Sequence, residues 1–526
     1  MGAIEGLAGT LPVLAPKALA TYVVGLCILV VIARRFWSWE RLRHVPGPPL
    51  ASVTSLWIVK KSLTGALHQH LHHVAELYGP LARIGPNELL STDPDVLRKM
   101  SAARSLYTKG TFYETGRITP EEDTIVSLRN EEAHRSLRAK MGTAFGGKEN
   151  EGFGFGTGID RQILAFMNLL DSKYLSTATE YRPVQFFQKV SFFALDVIGD
   201  ISFGEAFGYL RQDIDLYHYH QINDDALPLI SIVAIMPWLA TILQKWPFCK
   251  MLPREGDMVG FGRLMGLVKS IVDKRLAPGA TAQQDMMQAF INNGMTPSEL
   301  TQQVFVQIVA GTVSTTTAIC MTLLCLLTNP SAYSTLQREV DTLLATRKLG
   351  SPVADFEAKK MPYLQAVIKE GLRCYPPVLG LGSKQVPEGG DIINGHYVPE
   401  GTQIGMNFFG VMRSKETWGS DADTFRPERW LEADAGQARK MNMVVDLVFG
   451  FGKYQCLGKS IAMMEINKIL VELFRRYEFA IVNPQVPMKA FGAVFWAVDD
   501  FWLRITKRDN VSRNRSDTTG IFPNII

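Results

Sequence analysis

The residues of this chain best placed to do chemistry lie near its carboxyl end, in Phe449-Gly450-Phe451-Gly452-Lys453-Tyr454-Gln455-Cys456-Leu457-Gly458, and a helical apolar pattern over residues 461–476 follows at once. That order seats Cys456 where a loop turns into a helix. The next amides and the positive end of the helix dipole favour a thiolate there, the form of sulfur that binds metal. Glycines at 450, 452 and 458 would let the backbone approach a flat cofactor. Taken alone, a cysteine is more often a small core residue than a ligand; the flanking pattern is what argues for a ligand. A second candidate is Glu370-Gly371-Leu372-Arg373, with acid and base at i and i+3 on one helical face. By itself that spacing also fits an exposed ion pair worth little. A third is Ala310-Gly311-Thr312-Val313-Ser314-Thr315-Thr316-Thr317. Small residues leave room beside a cofactor, and hydroxyls bend a helix by bonding back to carbonyls one turn earlier. A purely structural kink would use the same residues.

In this combination and order the motifs resemble the cytochrome P-450 superfamily. Its ligand loop reads Phe, two residues, Gly, one residue, Arg or His, one residue, Cys, one residue, Gly, and Phe449, Gly452, Cys456 and Gly458 fit it. Tyr454 stands where Arg or His usually meets a haem propionate; its hydroxyl can donate a hydrogen bond, and Lys453 is a nearby charge. The resemblance implies haem b with Cys456 as the axial thiolate. It also implies a buried structural network of Glu370, Arg373 and Arg429, the last from Phe425-Arg426-Pro427-Glu428-Arg429-Trp430. Ser314, followed by Thr315, takes the catalytic hydroxyl position of the oxygen-activation motif, whereas Val313 replaces the usual acid. Ser314 is thereby implied to order a proton-delivering water, with the proton coming through substrate or solvent. Further propionate contacts are implied for His134 and Arg138, at i and i+4, and for Lys384 after Leu379-Gly380-Leu381-Gly382-Ser383. Residues 41–49 and 79–88 resemble filamentous-fungal members in particular.

The function implied is haem-thiolate monooxygenation of a lipophilic small molecule with O2, in fungal secondary-metabolite biosynthesis. The thiolate would push electron density to the iron and favour O–O cleavage. Electrons would come from a membrane-bound NADPH-cytochrome P-450 reductase. Segments 111–125, 227–243, 307–313 and 378–381 are expected around the substrate. Two alternatives stay open: a reductase-independent isomerase, dehydratase or peroxygenase, for which Val313 speaks, and a non-catalytic haem-binding membrane protein.

Elements able to position these residues are legible as periodicity. Helical patterns cover about 65–78, 131–145, 159–175, 186–201, 297–328, 333–345 and 361–373, with short strands at 81–84 and 402–406. Thr296-Pro297-Ser298-Glu299 opens the longest as a capping box. The fold class is therefore mainly α with a small β region, and the family resemblance implies the triangular-prism fold plus an N-terminal transmembrane helix.

Ahead of the globule, residues 18–33 form an apolar run of about 24 Å as a helix, somewhat short of a ~30 Å hydrocarbon core. Glu5 and the basic residues Arg34, Arg35, Arg41 and Arg43 argue for an uncleaved anchor with everything downstream cytosolic, and Trp37 and Trp39 suit the interface. The expected division is a membrane anchor at 1–35, a proline-rich hinge at 36–50, a haem-thiolate domain at 51–506 and a polar tail at 507–526. A single-pass protein of the endoplasmic reticulum membrane is expected, so Asn510 and Asn514 would stay unglycosylated. With 55 basic against 51 acidic residues, net +4, charge gives no case for nucleic acid. The 6 cysteines show no disulfide or zinc spacing. His68, His70, His72 and His73 read as an exposed helix face rather than a metal site. Residues 152–158, glycine-rich, read as a mobile loop rather than a dinucleotide motif.

Overall fold

The computed structural model describes residues 16–117, 119–120, 122–146, 154–346 and 350–508. Its principal helices are α1 (Pro16–Arg41), α2 (Leu67–Tyr78), α3 (Glu131–Phe145), α4 (Phe155–Leu169), α5 (Phe186–Phe203), α6 (Pro297–Leu327), α7 (Pro330–Thr346), α8 (Pro362–Cys374) and α9 (Lys459–Arg476). Each expected helical pattern corresponds to one of these, with ends shifted by a few residues. The strands that matter below are β1 (Leu81–Arg83), β2 (Glu88–Ser91), β3 (Thr108–Lys109), β4 (Val184–Gln185), β5 (Lys384–Gln385), β6 (Gln403–Met406), β7 (Tyr477–Ile481) and β8 (Trp502–Lys507). Helix dominates and the β part is small.

Capping fixes where the site helices begin. The Asn130 side chain accepts from the amides of Glu132 and Ala133 to start α3, and Thr296 and Glu299 form the reciprocal capping box of α6. α6 is long and apolar enough to cross a membrane, yet 78% of its apolar window is buried. It is a core helix, with α5, α8 and α9 packed around it. Glycine makes two of these approaches possible. A Cβ at Gly311 would lie 2.7 Å from Ile198 of α5, and one at Gly371 of α8 would lie 2.1 Å from Thr322 Oγ1 of α6.

The larger sheet has the order β1-β2-β6-β5-β3, with β2 and β6 parallel (Leu89 beside Ile404) and the other pairs antiparallel. A second sheet, β4-β8-β7, returns the chain's end to its middle, with Ile505 opposite Phe479.

Three local expectations change. The helix begun in the apolar run does not stop at residue 35 but continues to Arg41, and the expected hinge is fastened down: Leu42 and Val45 are buried, and the Arg83 amide donates to Pro46 O at 2.7 Å. The Arg83 side chain, 2% exposed, donates to Ser38 O (3.0 Å) and Trp39 O (3.2 Å) at the end of α1, and to Gly85 O (3.1 Å) and Pro86 O (2.6 Å). It satisfies carbonyls that the helix end leaves orphaned. The four-histidine run is not uniformly exposed. His68 is buried against Phe409 and Trp496 (ring centroids 4.7 and 4.8 Å), where burial lowers its pKa to about 4, while of the four only His73 is exposed. Among the described residues no metal-holding cluster exists. Finally, Phe155 to Gly158 are not loop but the first turn of α4, buried except for Thr157 and started by Gly154 at φ 67°; residues 152–153 lie outside the described residues, as do Asn510, Asn514 and the tail from 509.

Replacing Arg83 with Met should unfasten α1, because each buried acceptor left bare costs about 1–3 kcal/mol. Trypsin cleavage at Arg41 and Arg43 should then run clearly faster than in the wild type; unchanged rates would show that Arg83 does not hold this junction.

Candidate active site

The loop before α9 turns on two left-handed glycines, Gly450 (φ 71°) and Gly452 (φ 55°). The Cys456 amide then donates to Phe449 O at 2.7 Å, closing the loop. Cys456 Sγ accepts from the amides of Gly458 and Lys459, the first groups of α9, and feels the positive charges of Arg138 on α3 and of Lys459. Burial outweighs these influences and pushes the thiol pKa up. Gly450 and Gly452, expected to let the backbone approach a flat cofactor, are needed within the protein itself as well. A Cβ at Gly452 would meet Ser101 O at 2.2 Å, and one at Gly450 would meet Tyr454 O at 2.8 Å, so the protein's own backbone requires them. Gly458 differs: the nearest atom to its would-be Cβ is Cys456 Sγ, at 3.9 Å.

Cys456 is solvent-accessible although burial raises its pKa, and Ala310 is exposed at the middle of the core helix α6. Exposure at such positions means that both border an internal space. Ser314, one turn on from Ala310, is half-buried on the same stripe, with Oγ donating to Ala310 O at 2.6 Å. Thr315 is 2% exposed. Consecutive helical residues point about 100° apart, so the Thr315 hydroxyl, also expected at the catalytic position, faces away from that of Ser314. Val313 is 9% exposed and brings no proton donor.

On the wall formed by α3, β3 and β5 the structure gathers cations. Lys384, buried, donates to Tyr113 Oη at 2.6 Å and lies 4.4 and 4.2 Å from the ring centroids of Tyr113 and Tyr454. Burial, then Lys109, holds its pKa well below the usual lysine value. Lys109 donates to Ile125 O (2.6 Å) and Val126 O (3.0 Å), and burial lowers it to about 7. His134, 5.5 Å from the Tyr454 ring, is brought to about 4 by burial and then Lys109, and burial lowers Arg138 too. Glu131 is the nearby acid, and it is already engaged by Lys453 (3.0 Å) and by the Tyr454 hydroxyl. Tyr454, expected to donate to a propionate, donates its O–H to Glu131 here. Lys453 is likewise occupied, by Ser105 O, Tyr107 O and Glu131. Lys109, Tyr113 and Glu131 carry no sequence signal that would have singled them out; they meet through strand pairing and a helix start.

These residues fit haem. A sulfur donor faces internal space, and on the same side buried cations crowd one another with too little negative charge to balance them, a setting that two propionates would neutralise.

Glu370 is 0% exposed. It accepts from Arg373 (Nη2 2.7 Å, Nε 2.9 Å), Arg429 Nε (3.0 Å), the Arg426 amide (3.0 Å) and Trp430 Nε1 (2.9 Å). Arg373 continues to Met412 O, Ala422 O and Thr424 O, and Arg429 to Trp418 O and Asp421. Burial pushes the Glu370 pKa up, but the bonds and charge of Arg373, with Arg429 and Arg426 behind, leave it below the usual 4.5.

Comparison with known proteins places these features in one family. The family model described as "Cytochrome P450" matches residues 45–496. Cytochrome P450 monooxygenase ABA1 of Pyricularia oryzae is 38% identical over 482 residues, covering 90% of this chain and 93% of the relative. Cytochrome P450 monooxygenase aba1 of Botryotinia fuckeliana is 36% identical over 472 residues, 89% of this chain and 92% of the relative. Cytochrome P450 monooxygenase cicH of Emericella nidulans is 28% identical over 486 residues, 90% and 95% respectively.

Glu370→Gln should destabilise the protein by about 3–5 kcal/mol, since two buried guanidiniums lose their counter-charge. A carboxylate whose folded pKa is depressed adds stability that is complete above its unfolded value and disappears as pH falls through the folded one. The gap between variant and wild type in chemical denaturation should accordingly shrink below pH 4.5. A gap independent of pH would contradict an ionised Glu370.

Proposed function

Because the chain belongs to the cytochrome P450 family, we propose that it hydroxylates, or oxidises in a related way, a lipophilic small molecule with O2 and NADPH-derived electrons in fungal secondary-metabolite biosynthesis. At the coarser level it is an oxidoreductase of the monooxygenase type, from a family that holds haem by a thiolate. One observation supports the assignment of the ligand above all: Cys456 Sγ sits at the amino end of α9, accepting from two amides, on the border of internal space.

When bound, haem supplies the oxidising chemistry, and electron donation from the thiolate favours O–O cleavage. The chain's own residues do the remainder. Cys456 ligates, and the amides of Gly458 and Lys459 hold negative charge on its sulfur. Phe449, Gly452 and Gly458 shape the loop. Arg138, Lys109 and Lys384 would balance the propionates, with neutral His134 as a hydrogen-bonding neighbour and Tyr454 acting on them only through Glu131. Glu370, Arg373 and Arg429 are structural. Ser314 Oγ, its proton given to Ala310 O, keeps lone pairs that turn a water toward the reacting face, and Thr315 has a packing role. With Val313 in place of an acid, protons reach that water from solvent or substrate.

A lipophilic substrate is supported by a narrow cavity lined by Ile58, Phe112, Ala234, Ile235 and Leu381, with Glu88 at its wall. It draws on three of the four segments expected around the substrate, 111–125, 227–243 and 378–381, and includes no residue of the Cys456 loop or α6. Beside it, Leu56, Trp238 and Trp246 are strongly exposed. The apolar side chains of α1, among them Leu26, Leu29, Ile32 and Phe36, also stand clear of protein. They support a single-pass anchor within residues 1–35; the proposal places it in the endoplasmic reticulum membrane, with the end of α1 and the fastened segment after it as the connection at 36–50, 51–506 as the cytosolic catalytic domain and 507–526 as a tail. NADPH-cytochrome P450 reductase is the proposed electron donor.

Cys456→Ala should abolish the thiolate-type spectrum of the reduced carbon monoxide complex, and a retained spectrum would mean another ligand. Ser314→Ala should keep its haem but slow product formation by on the order of 10²-fold while NADPH and O2 are still consumed. Turnover of the authentic substrate without either co-substrate would favour the reductase-independent isomerase or dehydratase reading for which Val313 speaks.

A further inference from the structure

The narrow cavity walled by Ile58, Phe112, Ala234, Ile235 and Leu381 carries one acid, Glu88, the first residue of β2. Its carboxyl is built into place. Glu88 O accepts from the amides of Ile84 (2.9 Å) and Gly85 (3.1 Å), which fixes the backbone. Glycine at 85 leaves room for the side chain, since a Cβ there would lie 2.3 Å from Glu88 Oε2. Oε2 itself accepts from the Asn87 amide at 3.0 Å, while Oε1 has no partner among the described residues. No cation is bonded to it either: Arg83, the nearest along the chain, spends its guanidinium on the carbonyls of Ser38, Trp39, Gly85 and Pro86.

Beside Glu88, in register on β6 and also lining the cavity, stands Gln403. Its amide is committed: Oε1 accepts from the Thr111 amide (3.2 Å), and Nε2 donates to Gln385 Oε1 and Gly401 O (both 3.3 Å). Of this polar pair, Glu88 Oε1 is the atom left to meet a ligand. A carboxylate among apolar walls without a paired cation is costly, so the protonated acid is the form that suits the place. Burial acts in the same direction, raising the Glu88 pKa against the Asn87 amide and the charges of Arg35 and Arg83. With Oε2 accepting from Asn87, the proton belongs on Oε1, a donor without an acceptor.

We propose that Glu88 is a specificity-determining residue whose protonated carboxyl donates from Oε1 to an uncharged oxygen, carbonyl or hydroxyl, carried by the lipophilic substrate. This role rests on that substrate occupying the cavity. An ammonium or carboxylate in the same position would lie among apolar walls without a counter-charge, so the cavity selects against ions.

The test is equilibrium dialysis of the holoenzyme against 2-nonanone, as its reduced carbon monoxide complex, in which the iron is already occupied. Glu88→Leu should bind the ketone about fivefold more weakly than the wild type, the loss of one hydrogen bond. Glu88→Gln, which keeps an N–H donor, should stay close to the wild type. In the wild type, nonanoate and octyltrimethylammonium at neutral pH should bind more weakly than the ketone, a comparison that needs no variant. Equal ketone affinity in the wild type and Glu88→Leu, or tighter binding of either ion than of the ketone, would overturn the role of Glu88. Ala234→Phe, which fills the cavity, should weaken the ketone too. Unchanged binding there would overturn the occupancy of the cavity itself, and the carbon monoxide spectrum of the same samples reports separately on the Cys456 ligand.

Discussion

A carboxylate with no access to water must have all its acceptor positions filled, and that requirement at Glu370 organises much of this molecule. Side-chain donors come from Arg373 one helical turn away and from Arg429 and Trp430 some sixty residues on, with the Arg426 amide between. Each guanidinium then needs carbonyls for its other N–H groups and finds them at Met412, Ala422, Thr424 and Trp418. A stretch with only two single-turn helices, Lys415–Trp418 and Arg429–Glu432, is thereby pinned to α8. Removing one partner from such an assembly leaves a buried charge, which is why its cost far exceeds that of a surface pair.

The Cys456 region shows the opposite situation, positive charge short of a partner. Lys109 and Lys384 are pressed toward neutrality by burial and by nearby cations, and Glu131 cannot serve them all. The sulfur is held in a comparable tension: two amides and two cations favour its anion while burial disfavours it. Both imbalances point to a group carrying a metal centre and carboxylates, which is what the family brings to this place.

Features that depend on spacing along one element were legible in the sequence. The capping box at Thr296 and Glu299, the i, i+3 pair Glu370 and Arg373, and the loop-to-helix seat of Cys456 all follow from local rules. What needed the folded chain was partner choice. Tyr454 gives its hydroxyl to Glu131 because α3 begins beside it, and Thr315 turns inward because helical geometry sends it away from Ser314. His68 is buried because Phe409 and Trp496, hundreds of residues away, close over it. Gly452 is required by the close approach of Ser101, and no local pattern announces that contact.

The Arg83 clasp makes α1 and the larger sheet a single lever. Because the guanidinium grips Ser38 and Trp39 at one end and Gly85 and Pro86 at the other, the helix cannot swivel without carrying the globule along. One residue inserted into α1 ahead of Ser38 would turn its upstream faces by about 100° relative to the body. The bearing of the whole molecule is thus written in the exact count of residues along that rod.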